Sequence, residues 1–159
     1  RGAGRFYRRI RSRFGVQPVP MHDVAREMVR CVRERKAATL ALIADQTPPW
    51  PEIQNWTLFL GRWTPFFTGM EKLAVRFHLP VVFLDVRKVR RGYYEARFDL
   101  LYDGDEAVAE GEITRRYAER LERMIRTRPE LWMWSHRRWK HDREEWLARH
   151  PQRHKSKEK

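Results

Sequence analysis

The sequence predicts an α/β domain in which a mixed β-sheet is flanked by helices. Segments with a helical spacing of apolar residues alternate along the chain with apolar runs of strand length. Of the 159 residues, 42% are hydrophobic, which is enough for one buried core. The purest apolar run, residues 79–84, has six residues and includes a proline, whereas a span of the bilayer takes roughly 20. We expect one domain over residues 1–141 and a basic polar tail over residues 142–159.

A basic amphipathic helix is predicted at the start of the chain. Phe6, Ile10 and Phe14 follow one another at intervals of four residues, which places them on one helical face. Residues 1–15 contain six arginines and no acidic residue, so the polar face is wholly cationic. Gly15 is expected to end the helix.

A second helix and a buried strand are expected next. Two prolines interrupt residues 16–21, which suits a short edge strand or an extended link. Asp23 is a candidate cap for a helix that continues to about Arg35. The unbroken apolar run at residues 39–44 predicts a buried strand. Three prolines then force residues 45–51 into a rigid loop at the carboxyl end of that strand, where ligands commonly bind.

The middle of the chain predicts further strands around one helix. Residues 55–60 are a candidate strand, and residues 68–70 open a helix with one apolar face. Strand character resumes at residues 80–87. A hairpin turn is predicted at residues 90–93, because apolar and charged residues alternate through residues 95–100. An antiparallel pair of this kind beside a buried strand makes the predicted sheet mixed.

A long helix and a tryptophan-rich segment are predicted towards the end. Apolar residues keep helical spacing through residues 112–126, and Pro129 closes the helix. Residues 129–140 interleave three tryptophans with basic side chains, a composition that can stack, donate hydrogen bonds and attract anions. Large aromatic side chains after a helix usually bury themselves, so these are expected mainly to pin the segment to the sheet: Trp132, Trp134 and Trp139.

The charge of the chain favours an anionic partner. Thirty-four Lys and Arg against 21 Asp and Glu leave a formal charge of +13. Nucleic acid, anionic lipid and acidic carrier proteins all qualify. The single cysteine, Cys31, excludes an internal disulfide and a cysteine-based zinc site. We expect neither a metal nor a cofactor.

Four segments together resemble one enzyme family. They occur in the family's order and span nearly the whole chain, so the chain resembles the C-terminal half of a lipid A biosynthesis (lysophospholipid) acyltransferase of the Bacteroidetes type. The segments are Arg-Ile-Arg-Ser-Arg-Phe-Gly at 9–15, Leu-Ile-Ala-Asp-Gln-Thr-Pro at 42–48, Phe-Leu-Gly through Thr-Pro-Phe-Phe-Thr-Gly at 59–69, and Trp-Ser-His-Arg-Arg-Trp-Lys at 134–140.

This resemblance implies an acyltransferase at the cytoplasmic face of the bacterial inner membrane. The implied partners are an acyl thioester donor, usually acyl carrier protein, a glucosamine-based lipid A precursor and the anionic membrane surface. In the family a His-x4-acid motif ahead of the arginine-rich segment supplies the general base. The one formal match, His22 with Glu27, follows that segment, and residues five apart on a helix diverge by about 140°. We expect this match to be fortuitous, the base to lie before Arg1, and the 159 residues alone to be inactive.

Further site residues follow from the resemblance. The strand-end aspartate of the family matches Asp45, expected to orient a base or to pair with an arginine. The family arginine matches either Arg9 or Arg11; we assign Arg11 to catalysis and Arg9 to substrate binding, although the sequence does not decide between them. An arginine can hold a phosphate through two hydrogen bonds, but either side chain fits a solvated helix face equally well. The basic residues of the tryptophan-rich segment are expected to bind substrate phosphates: Arg137, Arg138 and Lys140. His136 is expected to be a hydrogen-bonded structural residue.

Two other functions fit the charge. A nucleic-acid-binding module shares the pattern of interleaved aromatic and basic residues, but no zinc-finger spacing, ribonucleoprotein strand or phosphate-binding glycine loop is present in the sequence. A non-enzymatic module on an anionic membrane surface is favoured only by the basic N-terminal helix. We rank both below the acyltransferase and expect no nucleic-acid partner.

Overall fold

The computed structural model describes residues 2–151, which form two units. The N-terminal unit extends to Ala41, and the C-terminal unit begins at Leu42. Each unit has its own elements, and the candidate site described below lies in the C-terminal unit.

The N-terminal unit contains two helices. Helix α1, Gly2–Arg11, is followed by a 3₁₀ turn, Arg13–Gly15, so the predicted helix is confirmed but ends four residues before Gly15. Gly15 has a φ of +80°, a conformation that glycine adopts without strain. Helix α2, Val24–Arg33, buries Met28 and Cys31 and confirms the second predicted helix.

The predicted strand at residues 39–44 is wrong. This segment has no strand structure; Ala44 is buried, whereas Leu42 and Ile43 are exposed. The segment crosses the boundary between the two units, and it finds no strand to pair with among residues 2–151. The apolar residues of this segment have a high propensity for strands, but a strand also needs a neighbouring strand that completes its hydrogen bonds.

The strands of the C-terminal unit form two antiparallel pairs. Strand β1, Asn55–Phe59, pairs with β2, Arg62–Phe66. Strand β3, Val81–Arg90, pairs with β4, Tyr93–Tyr102, around the predicted turn. The α/β class is thus confirmed, but the described strands form two two-stranded antiparallel sheets rather than one mixed sheet. A parallel pair needs a crossover connection, and both observed pairs are joined by tight turns.

Two helices complete the main core. Helix α3, Gly69–Phe77, follows β2, and α4, Glu112–Thr127, matches the long helix predicted from its spacing. The buried Glu71 of α3 accepts hydrogen bonds from the N–H of Gly111 and from the N–H and hydroxyl of Thr114, at the N-terminus of α4. A carboxylate there also complements the helix dipole. The core around α4 includes Phe59, Phe66, Phe83, Ile113, Leu121, Ile125 and Trp132.

A last helix builds a smaller core inside the segment that we expected to be a polar tail. Helix α5, Arg143–Arg149, is capped by Asp142, whose side chain accepts from the N–H of Glu145 at 2.8 Å. Its Trp146 is buried against Trp56 of β1, with ring centroids 6.1 Å apart. The segment is polar in composition, but one tryptophan per two turns is enough to dock a short helix. The rest of the expected tail, residues 152–159, lies outside the described residues.

No helix within residues 2–151 combines the length and the apolar character that crossing a bilayer requires.

Candidate functional site

The proline-rich loop that carries Asp45 is fastened to the tryptophan-rich segment. The N–H of Thr47 donates to Nε2 of His136 at 3.1 Å, and the Thr47 hydroxyl donates to the carbonyl oxygen of Arg138 at 2.6 Å. Further along the tryptophan-rich end of the chain, Nε2 of His141 lies 3.1 Å from the carbonyl oxygen of Pro48. These contacts hold the loop in one place although it has no regular structure of its own.

The side chain of Arg138 lies beneath this loop, in the core. It is 1% exposed; one terminal nitrogen donates to the carbonyl of Pro65 at 2.7 Å, and the other lies 3.3 Å from the Thr47 hydroxyl. The guanidinium is 4.5 Å from the centroid of the Phe66 ring, a cation–π contact. Its Nε is buried without a hydrogen-bond partner among residues 2–151. Burial lowers the pKa of Arg138 to about 10, which still leaves the group cationic at neutral pH.

Asp45 and Tyr117 complete the electrostatic surroundings of Arg138. Burial raises the pKa of the Tyr117 hydroxyl, the negative charge of Asp45 raises it further, and Arg138 opposes both. The Asp45 side chain is half-buried and makes no hydrogen bond or ion pair within the described part of the chain. A carboxylate placed near a fixed cation but bonded to nothing is available to a ligand or to a catalytic group.

The basic residues of the tryptophan-rich segment divide into buried and exposed ones. Arg137 and Lys140 are exposed, as binding of a phosphate would require. Arg138 is not, because its side chain is directed into the core between β2 and the Asp45 loop. The expected contact between Arg138 and a substrate phosphate is therefore not available in this structure, and the residue acts on the loop instead.

The tryptophans largely take the predicted structural role. Trp132 is buried in the main core, and Nε1 of Trp139 donates to the Thr64 hydroxyl at 2.9 Å. Trp134 differs, since its ring is 57% exposed and its Nε1 donates to the carbonyl of Pro129 at 2.7 Å. His136 also has the expected structural contact, because its Nε2 accepts a hydrogen bond from the N–H of Thr47.

Arg9 and Arg11 belong to the N-terminal unit. Both lie in the last turn of α1 and are exposed, and neither forms an ion pair with another described residue. The structure thus leaves their predicted roles in catalysis and substrate binding open. Of the predicted site residues, the structure brings Asp45 close to Arg138, and Arg137 and Lys140 are exposed neighbours of Arg138 in the chain.

The formal His-x4-acid match does not form a catalytic pair. His22 lies in the 3₁₀ turn Met21–Asp23 and contacts the adjacent Asp23, with 3.3 Å between Nε2 and Oδ2. Glu27 lies in α2 and instead accepts hydrogen bonds from Arg30 and from Gln17. A general base needs its orienting carboxylate at the imidazole, and these two side chains have other partners.

Sequence reasoning missed two members of the site. Thr47 lies in one of the family segments but was not given a role, and Tyr117 was assigned only to the apolar face of its helix. Neither residue carries a signal for this place in its sequence context, because the burial of Thr47 and the position of Tyr117 near Asp45 follow from the fold. Among the described residues no group of three or more His, Cys, Asp or Glu side chains is arranged to hold a metal ion.

Comparison with known proteins defines the class of this α/β chain. A family model described as bacterial lipid A biosynthesis acyltransferase matches residues 5–141, which include Asp45 and the whole tryptophan-rich segment. No curated protein and no solved structure matched the chain. The match covers most of the sequence, so the chain belongs to the bacterial lipid A biosynthesis acyltransferases. Acyl transfer in lipid A biosynthesis is the general activity of this family.

Proposed function

We propose that the chain takes part in moving a fatty acyl group from an acyl thioester, such as an acyl carrier protein, to a hydroxyl group of a lipid A precursor. The observation that carries the proposal is the family match over residues 5–141. The unpaired carboxylate of Asp45, in a loop held over a buried cation, supports the presence of a working site. The net charge of +13 suits the cytoplasmic face of the bacterial inner membrane, where the lipids and the glycolipid acceptor are anionic.

In the proposed reaction the acceptor oxygen attacks the thioester carbonyl carbon. A base takes the hydroxyl proton, the carbon–sulfur bond breaks, and the thiolate leaves and is protonated. Asp45 orients the base or the attacking hydroxyl by accepting a hydrogen bond. Arg137 and Lys140 hold the phosphates of the acceptor. The roles of Arg11 in catalysis and of Arg9 in substrate binding stay predictions from the family resemblance.

We propose that the general base is neither His22, which matches the motif formally, nor His136 of the tryptophan-rich segment. His22 contacts Asp23, and His136 uses its acceptor nitrogen for the N–H of Thr47. From the resemblance to the family, in which the His-x4-acid motif supplies the base, we further propose that the 159 residues do not turn over substrate by themselves.

The test is transfer of a labelled acyl chain from acyl carrier protein to a purified lipid A precursor by the native gene product. We expect transfer by that product and none by the 159-residue chain. Asp45→Asn is expected to lower kcat at least about 100-fold, the scale of acid–base assistance. The matched control is Asp105→Asn, which removes a carboxylate that is 92% exposed and leaves kcat unchanged. Absence of transfer by the native product would refute the acyltransferase proposal, and transfer by the 159 residues would refute the statement about the base.

The phosphate contact has its own test. Arg137→Ser with Lys140→Ser is expected to raise the KM for a bisphosphorylated acceptor by about tenfold and to change kcat little, because these cations bind rather than react. Arg123→Ser removes an exposed arginine of α4 and is the control. An equal rise of KM in the control would show that net charge alone is responsible.

A further inference from the structure

One face of the β3–β4 hairpin is apolar and uncovered. The paired register places Val82 opposite Leu100, Leu84 opposite Phe98 and Val86 opposite Ala96. The opposite face carries Phe83 and Asp85, which pack or form ion pairs with α4. The five larger side chains of the uncovered face are 39–69% exposed. A continuous apolar face of this kind on a single chain usually marks a binding surface.

The tip of the hairpin carries cations and tyrosines, of which Lys88 and Tyr94 continue the apolar face. Lys88 stands opposite Tyr94, directly beyond the last aliphatic pair, and the guanidinium of Arg90 is 3.7 Å from the centroid of the Tyr93 ring. Lys88, Arg90 and Arg91 form no ion pair with any residue of the described part. By contrast, Arg87 on the other face is paired with Glu95 at 2.6 Å. The unpaired charge therefore lies at the end of the apolar face.

We propose that this face and its tip, named here the hairpin face, dock on an anionic lipid surface. The hairpin face comprises Val82, Leu84, Val86, Lys88, Tyr94, Ala96, Phe98 and Leu100, with Arg91 in the turn at its tip. The proposal rests on the membrane association included in the proposed function and assigns it to a surface that none of the family segments contains.

The positive charge of the chain favours an anionic lipid surface over a second copy of the chain as the partner of the hairpin face. At a bilayer surface, aliphatic side chains enter the acyl boundary, tyrosines lie at the headgroups, and Lys and Arg meet lipid phosphates. Along the hairpin face the aliphatic pairs come first, and the paired Lys88 and Tyr94 follow at the next level on the same face. A second copy would instead bring two chains of charge +13 together, with like charges at the contact.

The test is cosedimentation of the 159-residue chain with vesicles of phosphatidylcholine alone or with 30% phosphatidylglycerol, as the probe composition. We expect binding only to the anionic vesicles, weakened by added salt. Leu84→Ser with Phe98→Ser is expected to weaken partitioning about tenfold or more. Lys88→Ser with Arg91→Ser is expected to weaken it by about fivefold per cation. The matched control, Leu58→Ser with Val75→Ser, changes two apolar residues that are similarly exposed elsewhere and should bind as the unchanged chain does.

A fluorescent label locates the contact directly. An environment-sensitive dye is attached at Phe98→Cys in a Cys31→Ser chain, with Leu58→Cys as the control position. Emission at position 98 should shift to the blue only with anionic vesicles and should be quenched by spin-labelled lipid. If the Leu84 and Phe98 substitutions leave binding unchanged, the hairpin face is not the docking surface, although the chain still associates with the membrane. Absence of binding to anionic vesicles would overturn both. A blue shift without vesicles, with a dimer in sedimentation, would overturn lipid in favour of a second copy.

Discussion

Replacing Thr47 by Val should destabilise the C-terminal unit by about 2–3 kcal/mol. The substitution keeps the shape of a buried side chain but removes the hydroxyl that donates to the Arg138 carbonyl at 2.6 Å and lies 3.3 Å from its guanidinium. A neutral buried hydrogen bond contributes about 1 kcal/mol, and one to a charged group about 1.5–3. The lost partners stay buried, so water does not replace the bonds.

Urea unfolding followed by tryptophan fluorescence measures this effect. All seven tryptophans lie in the C-terminal unit, so the signal follows that unit alone. The expected result is a lower midpoint at unchanged slope. Thr127→Val is the matched control, because it removes an exposed hydroxyl bond to a carbonyl and should change stability by less than about 0.5 kcal/mol.

A double-mutant cycle that combines Thr47→Val with Arg138→Met measures the contact between the Thr47 hydroxyl and the Arg138 guanidinium. Groups in contact couple by about 0.5–3 kcal/mol, whereas independent sites add. Additive losses would show that the Arg138 guanidinium does not contribute through Thr47. A Thr47 variant no less stable than the Thr127 control would refute the idea that the Thr47 hydroxyl fastens the loop.

Two further predictions concern α4. Glu71→Gln should cost about 1–3 kcal/mol in the same urea assay, because an amide cannot accept all the bonds from Gly111 and Thr114 that the carboxylate accepts; the exposed Glu119→Gln is the control, and an equal loss there would contradict the cap. Hydrogen bonds from two arginines lower the pKa of Glu112 from 4.5 to about 2, so its contribution is present above pH 4.5 and lost as pH falls towards 2. Solvent screening limits that contribution to about 1 kcal/mol, and Glu112→Gln should flatten the fall of Tm between pH 5 and 3; an unchanged slope would refute this.

The elements that the sequence predicts well are those with local signals. Helix α4 has apolar spacing and a terminating proline, and the β3–β4 turn has a glycine between alternating strands, so both are confirmed. Residues 39–44 have the composition of a strand, but pairing depends on distant residues that composition does not reveal. The predicted contact of Arg138 with a substrate phosphate was wrong for a similar reason. A basic residue between exposed neighbours is expected to be solvated, and only the fold shows that a carbonyl group and two aromatic rings surround it. The role expected for Asp45 came from its family segment rather than from its chemistry, and it stays a prediction.

The contacts that hold the Asp45 loop join distant parts of the polypeptide. Thr47 and His136 are separated by 89 positions, and Pro48 and His141 by 93. Closing a loop of that length costs more conformational entropy than forming either hairpin, so these contacts are expected to form more slowly. During synthesis the hairpins and α4 leave the ribosome before residues 136–141 do. The Asp45 loop is therefore expected to reach its place after the two hairpins and α4 have formed.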